Sequence, residues 1–340
     1  MIYGAYGFTG RLIAEEAVAR GLRPVLAGRD AVRLAEVADR LGLSHRAVAL
    51  DDAAGLRGAL EGCGAVIHAA GPFAETSAAM AEACIASRTH YLDITGEPAV
   101  FAALRAAGPR AVAAGVALLP GCGFDVVPTD CLAAMVAARC PEAERLTLAF
   151  AGIDTPSRGT LRTAARNLDA APLVRRAGRL EPRSGRLSTR LDFGDGPRRV
   201  IATTWGDLET AWDSTGIPDI EVFMAPAPAT AALMRLPGPL RRIAARLALS
   251  ERALARLPEG PDAATRRTAR ARLFARAEGP GGAVAEARLE VCEPYAFTAR
   301  SAVEIARRVL AGPAPRGYRT PSQAFGKGLV LDIPGSRLLE

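Results

Sequence analysis

Three glycines near the start of the chain constrain its fold most. Gly4, Gly7 and Gly10 form a G-x-x-G-x-x-G run directly after a short apolar segment. An amphipathic helical pattern follows, with an apolar stripe formed by Leu12, Ile13, Ala17 and Val18. Glycines let backbone N–H groups approach a pyrophosphate, and the following helix directs its positive N-terminus at the same anion. The run predicts the strand, turn and helix that open a dinucleotide-binding fold, whereas a glycine-rich turn without a ligand is the alternative.

Short β-like runs alternate with helical patterns from residue 1 to about residue 150, which predicts a parallel sheet covered by helices. The predicted strands are Met1–Tyr3, Pro24–Ala27, Ala47–Leu50, Ala65–Ala69, Tyr91–Ile94, Val116–Leu119 and Leu146–Ala151. We therefore expect an α/β fold with a doubly wound, Rossmann-type parallel sheet. Its cofactor domain is predicted to span residues 1–125.

The rhythm then changes to alternating strands joined by hairpin turns, as in Leu187–Phe193 followed by Val200–Trp205. A second hairpin is predicted between about Ala271 and Val291, and Asp219–Met224 is a further strand. Predicted helices cover Leu161–Arg176, Ala229–Arg256 and Ala296–Leu310. These patterns predict a second α+β domain over residues 126–311, built on an antiparallel sheet and used for substrate binding and oligomerisation. The tail, residues 312–340, is expected to return to the first domain.

The residue at the end of the second strand distinguishes NAD from NADP, because a carboxylate there binds the ribose 2′-OH and an arginine binds a 2′-phosphate. Arg29 occupies this position, which favours NADP(H), and Arg33 could add a second contact. Alternatively, Arg29 is simply a solvated side chain beside Asp30. Asp51, after the third strand, could meet the adenine or cap a helix.

The fourth strand ends in small residues followed by Gly-Pro, which would allow the backbone to pass close to the cofactor ribose. His68 in this strand is interpreted as a core histidine. The predicted cofactor-binding residues are Gly4, Tyr6, Gly7, Phe8, Thr9, Gly10, Arg29, Asp51, Ala70, Gly71 and Pro72.

Several segments together resemble the saccharopine dehydrogenase-like oxidoreductases, and within them the branch that includes trans-acting enoyl reductases. They are Gly4–Arg11, Gly28–Arg29, Gly71–Phe73, Tyr91–Glu97 and Gly121–Asp130. The resemblance implies an NADP-binding Rossmann domain, an inserted substrate domain, and hydride transfer across a C=N or C=C bond of a small or acyl substrate.

Asp125 is the carboxylate that we consider for catalysis, because it follows a strand at the edge where doubly wound folds bind ligands. As a proton donor it would need a pKa raised by burial, and capping of the next helix is its alternative role. Predicted substrate-binding residues share this edge or lie in the second domain: Phe73, Gly96, Glu97, Cys122, Phe124, Thr160 and Tyr295.

Composition excludes several other chemistries. The 43 basic residues include a single lysine, Lys327, so a Schiff-base lysine, a Tyr-x-x-x-Lys dyad and a Walker lysine are excluded before it. The six cysteines form no C-x-x-C pair and only three histidines accompany them, which argues against a metal site. No nucleic-acid-binding motif accompanies the net charge of +7.

Neither a secretory leader nor a long apolar run is apparent, so a cytoplasmic location is expected. We also expect a homodimer. The arginine-rich stretch from Met234 to Arg256 predicts a basic amphipathic helix that begins at or just after Pro239, because Pro237, Gly238 and Pro239 interrupt the pattern before it. It would pack on the sheet, or dock a carrier protein or a membrane surface. A non-catalytic NADP-binding regulatory or scaffold protein is the alternative to an oxidoreductase.

Overall fold

The computed structural model describes residues 1–166, 170–184, 187–227, 231–232 and 238–339. A parallel sheet occupies the N-terminal part. Its strands are β1 (Ile2–Tyr3), β2 (Leu26–Gly28), β3 (His45–Ala47), β4 (Ala65–His68), β5 (His90–Asp93), β6 (Ala117–Leu119) and β15 (Gly317–Tyr318), in the spatial order β15-β6-β5-β4-β1-β2-β3. All its strand pairs are parallel. The order reverses at β1, where doubly wound folds bind ligands.

Helices cover both faces of this sheet. They are α1 (Phe8–Ala19), α2 (Ala31–Leu41), α3 (Ala53–Leu60), α4 (Phe73–Ser87), α5 (Pro98–Ala114), α6 (Val127–Arg139) and α12 (Pro294–Ala311). Apolar residues of α3, α4 and α5 form the core on one face, and those of α1, α2, α6 and α12 form the core on the other. Local signals set the helix ends, since Asp30 caps α2 through the Arg33 amide and Gly42 ends it at φ +62°.

A second, mixed sheet follows in the chain. Its main path is β10 (Ser188–Asp192), β11 (Pro197–Ala202), β12 (Asp219–Met224), β7 (Arg145–Ala151), β13 (Arg270–Glu278), β14 (Val284–Cys292) and β16 (Arg337–Leu339). A short hairpin of β8 (Leu173–Arg176) and β9 (Arg179–Pro182) joins it through β12. The inward-facing apolar residues of β7, β13 and β14 pack on α6 and α12, so one continuous core links the two sheets.

The remaining described helices belong to the second half and the tail. They are α7 (Arg158–Arg166), α8 (Asp207–Thr215), α9 (Gly238–Ala248), α10 (Glu251–Arg256), α11 (Ala263–Thr268) and α13 (Pro321–Phe325). Within the described residues, no helix combines the length and the apolar character that crossing a membrane needs.

Two sequence expectations were wrong in the second half. The antiparallel sheet contains one parallel pair, because β12 lies beside β7 in the same direction. The predicted helix Leu161–Arg176 is a helix only over its described part up to Arg166; residues 167–169 lie outside the described residues, and Leu173–Arg176 is a strand instead. A tight turn at Ala177 and Gly178, both with positive φ, lets this strand pair with β9.

The tail contributes to both sheets. β15 pairs with β6 in the first sheet, whereas β16 pairs with β14 in the second. In the predicted basic segment, Met234, Arg235, Leu236 and Pro237 lie outside the described residues. Its described part is two helices, α9 and α10, because the side chain of Ser250 accepts a hydrogen bond from the Ala253 amide and starts a new helix. Leu240 and Leu247 on α9 are exposed.

Candidate functional site

The glycine turn forms an open cradle between β1 and α1. Gly4 adopts φ +83°, donates to Ala27 O at 2.8 Å and accepts from the Gly7 amide at 3.0 Å. A Cβ at Gly10 would overlap Gly4 O, whereas one at Gly7 would meet only Gly4 O, at 3.2 Å. Within the described chain, no side chain caps the N-terminus of α1. The first N–H groups of this helix, including those of Phe8 and Thr9, are therefore available to an anion, and the cradle fits a pyrophosphate.

The adenosine end of the predicted cofactor site lies at the tips of β2 and β3. Arg29 and Asp51 are exposed there. Burial raises the pKa of Tyr3 to about 12, and smaller effects come from the charges of Tyr6, Arg29 and Asp51, so these groups share one edge of the sheet. The neighbouring Asp52, rather than Asp51, caps α3 by accepting from the Gly55 amide.

Tyr6 covers the backbone beside Arg29. A Cβ at Gly28 would lie 2.6 Å from Tyr6 Cε1, so glycine is needed for the ring to pack on the strand. The guanidinium carbon of Arg33 lies 4.8 Å from the Tyr6 ring centroid. Tyr6 packs on Gly28, the residue before Arg29, so stacking on Tyr6 holds Arg33 at this end of β2, as a 2′-phosphate site with two arginines would require.

The loop after β4 is held in place by Thr76. Its hydroxyl donates to Ala70 O at 2.7 Å, and Gly71 and Pro72 then lead into α4 through a cis peptide bond. His68 is completely buried, its Nε2 lies 3.0 Å from Thr76 Oγ1, and burial lowers the pKa of its ring to about 3. It is a core histidine, as the sequence indicated.

Glu97 holds the start of α4. Its two carboxylate oxygens each accept one backbone hydrogen bond at 3.0 Å, from the amides of Phe73 and Ala74. This capping role gives Glu97 a local function besides the predicted substrate contact. Asp93, at the end of β5, is buried and accepts from the amides of Thr95 and Gly121, so it fixes the two loops that carry the next site residues.

Asp125 lies where these loops meet. A Cβ at Gly96 would be 2.8 Å from Asp125 Oδ2, so the carboxyl group packs directly on that backbone. Trp205 Nε1 donates to Asp125 O at 2.6 Å and fixes the main chain. Burial, and to a smaller extent the negative charge of Glu97, raise the pKa of Asp125 to about 7. The N-cap residue of α6 is Val126, whose side chain cannot accept a hydrogen bond. In the described part of the chain, Asp125 therefore does not cap this helix.

Tyr295 closes the other side of the site. Its ring packs edge-on against Phe8 with centroids 5.3 Å apart. Its hydroxyl oxygen accepts from the Ser157 amide at 2.6 Å and lies 3.0 Å from Thr160 Oγ1. The structure thus brings the predicted residues Phe8, Thr160 and Tyr295 together. Burial raises the pKa of Tyr295, and the negative charge of Asp125 has a smaller effect in the same direction.

Two predicted substrate contacts are instead core residues. Cys122 is completely buried, and its thiol lies 3.1 Å from Leu119 O. Phe124 is 3% exposed and packs edge-on against Phe150 and Phe297. Neither side chain presents a surface to a ligand in this structure. The motif around them is explained by packing between the two sheets.

Sequence reasoning missed four residues of this region: Arg11, Ser157, Trp205 and Glu259. Arg11 adjoins the last glycine of the turn, and this adjacency was the available signal. Ser157, Trp205 and Glu259 belong to no motif and reach the site only through the fold.

Comparison with known proteins agrees with this geometry. Residues 1–119 match the family model of the saccharopine dehydrogenase NADP-binding domain. A putative trans-acting enoyl reductase of Mycobacterium tuberculosis is 34% identical over 138 residues, which are 38% of this chain and 33% of that protein. A lipid droplet localized protein of Caenorhabditis elegans is 31% identical over 144 residues, 38% of this chain and 34% of that one. The matched region spans about a third of the length of these curated relatives.

Solved structures match along nearly the whole chain. Apo saccharopine dehydrogenase (L-Glu forming) from Saccharomyces cerevisiae superposes with a TM-score of 0.63 at 14% identity, covering 100% of this chain and 99% of that one. Homospermidine synthase from Legionella pneumophila, in complex with NAD, gives 0.66 at 10% identity over 99% and 90% of the two chains. These matches establish the fold. Residues 1–119 thus match the NADP-binding domain of the saccharopine dehydrogenase family, and the chain as a whole has the fold of saccharopine dehydrogenase.

Proposed function

We propose that the protein is an NADP(H)-dependent oxidoreductase that transfers a hydride to a C=N or activated C=C bond of a small or acyl substrate. The observation that carries the proposal is Asp125, a carboxyl group with its pKa raised to about 7 at the carboxyl edge of the nucleotide-binding sheet. Titratable groups whose pKa values are shifted toward 7 by burial are concentrated at catalytic sites. The similarity to trans-acting enoyl reductases supports the reductive direction.

The residues of the first domain would bind and orient the cofactor. The uncapped start of α1 would hold the pyrophosphate, and Arg29 with Arg33 would hold the 2′-phosphate. A bound nicotinamide would supply the hydride. Phe8, Phe73 and Tyr295 would then form apolar walls that exclude water from the site.

Asp125 would donate the proton that the reduction requires. Near neutral pH a group with a pKa of about 7 is half protonated, so it can donate a proton and recover it from solvent. In the reductive direction, the carbon of the double bond gains the hydride. The nitrogen of an imine, or the second carbon of an activated alkene, gains the proton of Asp125. The carboxylate left behind is stabilised by no hydrogen bond from the described residues, which favours its return to the protonated form.

The alternative is a regulatory or scaffold protein that binds NADP without catalysis. It would keep the glycine cradle and Arg29, but it would not need a carboxyl group with a raised pKa beside Gly96. The position of Asp125 favours the enzyme. The homodimer, the cytoplasmic location and a carrier or membrane partner for α9 stay predictions.

The proposal is tested by following NADPH oxidation with a panel of imines, 2-oxo acids mixed with amines, and enoyl thioesters. A reactive substrate class supports the enzyme, and Asp125→Asn should then lower the rate about 100-fold or more. Asp39→Asn, which changes an exposed carboxylate on α2, is the matched control and should leave the rate unchanged. Tight NADPH binding without turnover of any member of the panel would favour the scaffold.

A further inference from the structure

A loop of the second domain lies against the start of α1. This loop, residues 257–262, joins α10 to α11. A Cβ at Gly260 would overlap the ring of Phe8, so the loop backbone packs directly on the first residue of the helix. The guanidinium carbon of Arg266, just beyond the loop, lies 5.8 Å from the Phe8 ring centroid. The entrance to the phosphate cradle is therefore bordered by both domains.

The second domain holds this loop firmly. Arg158 Nε donates to Leu257 O at 2.7 Å, and the Arg158 amide donates to Glu259 O at 3.1 Å. Arg266 Nη1 donates to Pro261 O at 2.6 Å, and the Asp262 side chain caps α11 by accepting from the Thr265 amide at 2.7 Å. The backbone on both sides of Glu259 is thus fixed, and the carboxylate of Glu259 is directed at the nucleotide domain.

The side chain of Arg11 binds the carboxylate of Glu259. It lies in the first turns of α1, where side chains lean toward the helix N-terminus. Its Nη1 donates to Tyr6 O, a carbonyl of the glycine turn, at 2.9 Å, and its Nη2 forms an ion pair with Glu259. One side of the guanidinium is anchored to the phosphate turn, and the other side binds an anion that belongs to the protein.

Glu259 lies in a positive field. The ion pair with Arg11 holds the pKa of its carboxyl group below its usual range, and the charges of Arg158 and Arg33 act in the same direction. Arg11 and Arg33 both flank the proposed dinucleotide site. The arginines that attract the carboxylate of Glu259 would attract a phosphate group of the cofactor in the same way.

We propose that Glu259 is an internal anion of the nucleotide site, which competes with a cofactor phosphate for Arg11 and is displaced when the cofactor binds. This inference rests on the proposed cofactor site. It gives the second domain a direct influence on cofactor affinity. The Arg11–Glu259 pair is partly exposed, with side chains 24% and 42% accessible, so its removal should have a moderate effect.

The test is a titration of NADPH, followed by its fluorescence, into the wild type, Glu259→Gln, Arg11→Gln and the double variant at low ionic strength. Loss of the internal competitor should lower the dissociation constant of Glu259→Gln about three-fold. The same substitution made in the Arg11→Gln background should change nothing, because the group for which Glu259 competes is absent. Glu82→Gln, which removes an exposed carboxylate paired with Arg110, is the matched control and should bind as the wild type does.

Weaker or unchanged NADPH binding by Glu259→Gln would overturn the proposal, as would an equal gain in the Arg11→Gln background. If the wild type and every variant fail to bind NADPH, the proposed cofactor site itself is wrong, and the role of Glu259 is rejected with it. Binding by the wild type without the expected difference would reject the role of Glu259 alone.

Discussion

Arg29 is the side chain on which the predicted preference for NADP(H) depends. It is exposed at the tip of β2, and Arg33 is stacked on Tyr6 nearby. Arg29→Ala should weaken NADPH binding by about 2 kcal/mol, through loss of a charge-assisted contact to the 2′-phosphate, and should leave NADH binding almost unchanged. Titration with both cofactors measures this.

Arg57→Ala provides the control, because this exposed arginine lies on α3 and its loss removes the same charge. It should alter neither affinity appreciably. Equal losses of NADPH and NADH affinity in Arg29→Ala would show that Arg29 does not recognise the 2′-phosphate.

Asp125 should make the stability of the protein depend on pH. Burial raises its pKa in the folded protein to about 7, above the usual value of a carboxyl group. The folded state therefore holds this proton more tightly than the unfolded chain does. The resulting stabilisation is present at pH values below the ordinary carboxyl pKa and is lost as the pH rises to about 7.

Asp125→Asn stays neutral and removes this dependence. Its free energy of unfolding, relative to the wild type, should therefore increase between about pH 4 and pH 7, as measured by urea denaturation. The buried Asp93 and Asp130, whose pKa values are also raised to about 6, are present in both proteins. Their contributions to the pH dependence therefore cancel when the wild type and Asp125→Asn are compared. A difference that does not vary with pH would show that folding does not raise the pKa of Asp125.

At the scale of a single element, the glycine turn contains two different requirements for glycine. Gly10 is needed for close packing within the turn, since a Cβ there would overlap Gly4 O, whereas Gly7 has extended backbone angles that a valine can adopt. Gly7→Val should keep the fold and lose NADPH binding, because its side chain would fill the space in front of the helix N-terminus. Gly10→Ala should instead destabilise the protein by about 2 kcal/mol.

Circular dichroism during thermal unfolding, together with NADPH titration, separates these two effects. The two variants serve as controls for each other, because they lie three residues apart in the same turn. Normal NADPH binding by Gly7→Val would show that the cofactor phosphates do not bind at this turn.

The elements of the first sheet could be predicted well because local signals agree with the fold there. Six of the seven predicted strands overlap strands of this sheet, and the glycine turn, Arg29 and the Gly-Pro loop lie at the expected edge. The seventh, Leu146–Ala151, was assigned to the wrong sheet, because it is β7 of the second sheet and pairs with β12 and β13. Prediction failed where distant segments decide the structure. Leu173–Arg176 follows a helical pattern but is a strand, because pairing with β12 and β9 overrides local preference.

The same reason explains the site residues that sequence reasoning misjudged. Phe124 belongs to a motif that suggested substrate contact, yet the approach of the second sheet buries it against Phe150. Ser157 and Glu259 have no local signature; the fold of the second domain brings Ser157 to Tyr295, and the packing of the two domains brings Glu259 to Arg11. Sequence patterns indicate where the cofactor half of the proposed site lies, whereas tertiary packing creates the other half.

At the scale of the whole molecule, a partly buried polar cluster joins three distant segments. Asp213 on α8 accepts from Arg105 Nη2 on α5 and from the Tyr318 hydroxyl on β15, each at 2.7 Å. Arg105 also pairs with Glu209, which is paired with the buried Arg175 at 3.0 Å. The cluster therefore connects the tail and the first domain to a helix of the second domain.

Asp213→Ala should lower the free energy of unfolding by about 2 kcal/mol, because it leaves the Arg105 guanidinium and the Tyr318 hydroxyl without their shared acceptor. Glu82→Ala is the control, since it breaks an Arg110 pair whose side chains are 61% and 52% accessible and should cost less than about 1 kcal/mol. The two tryptophans, Trp205 and Trp212, lie on or next to α8, so their fluorescence during urea denaturation reports unfolding at the cluster. Equal effects of the two substitutions would mean that solvent screens the Asp213 cluster as fully as the exposed pair, and that this cluster adds little to the attachment of the tail and α5 to α8.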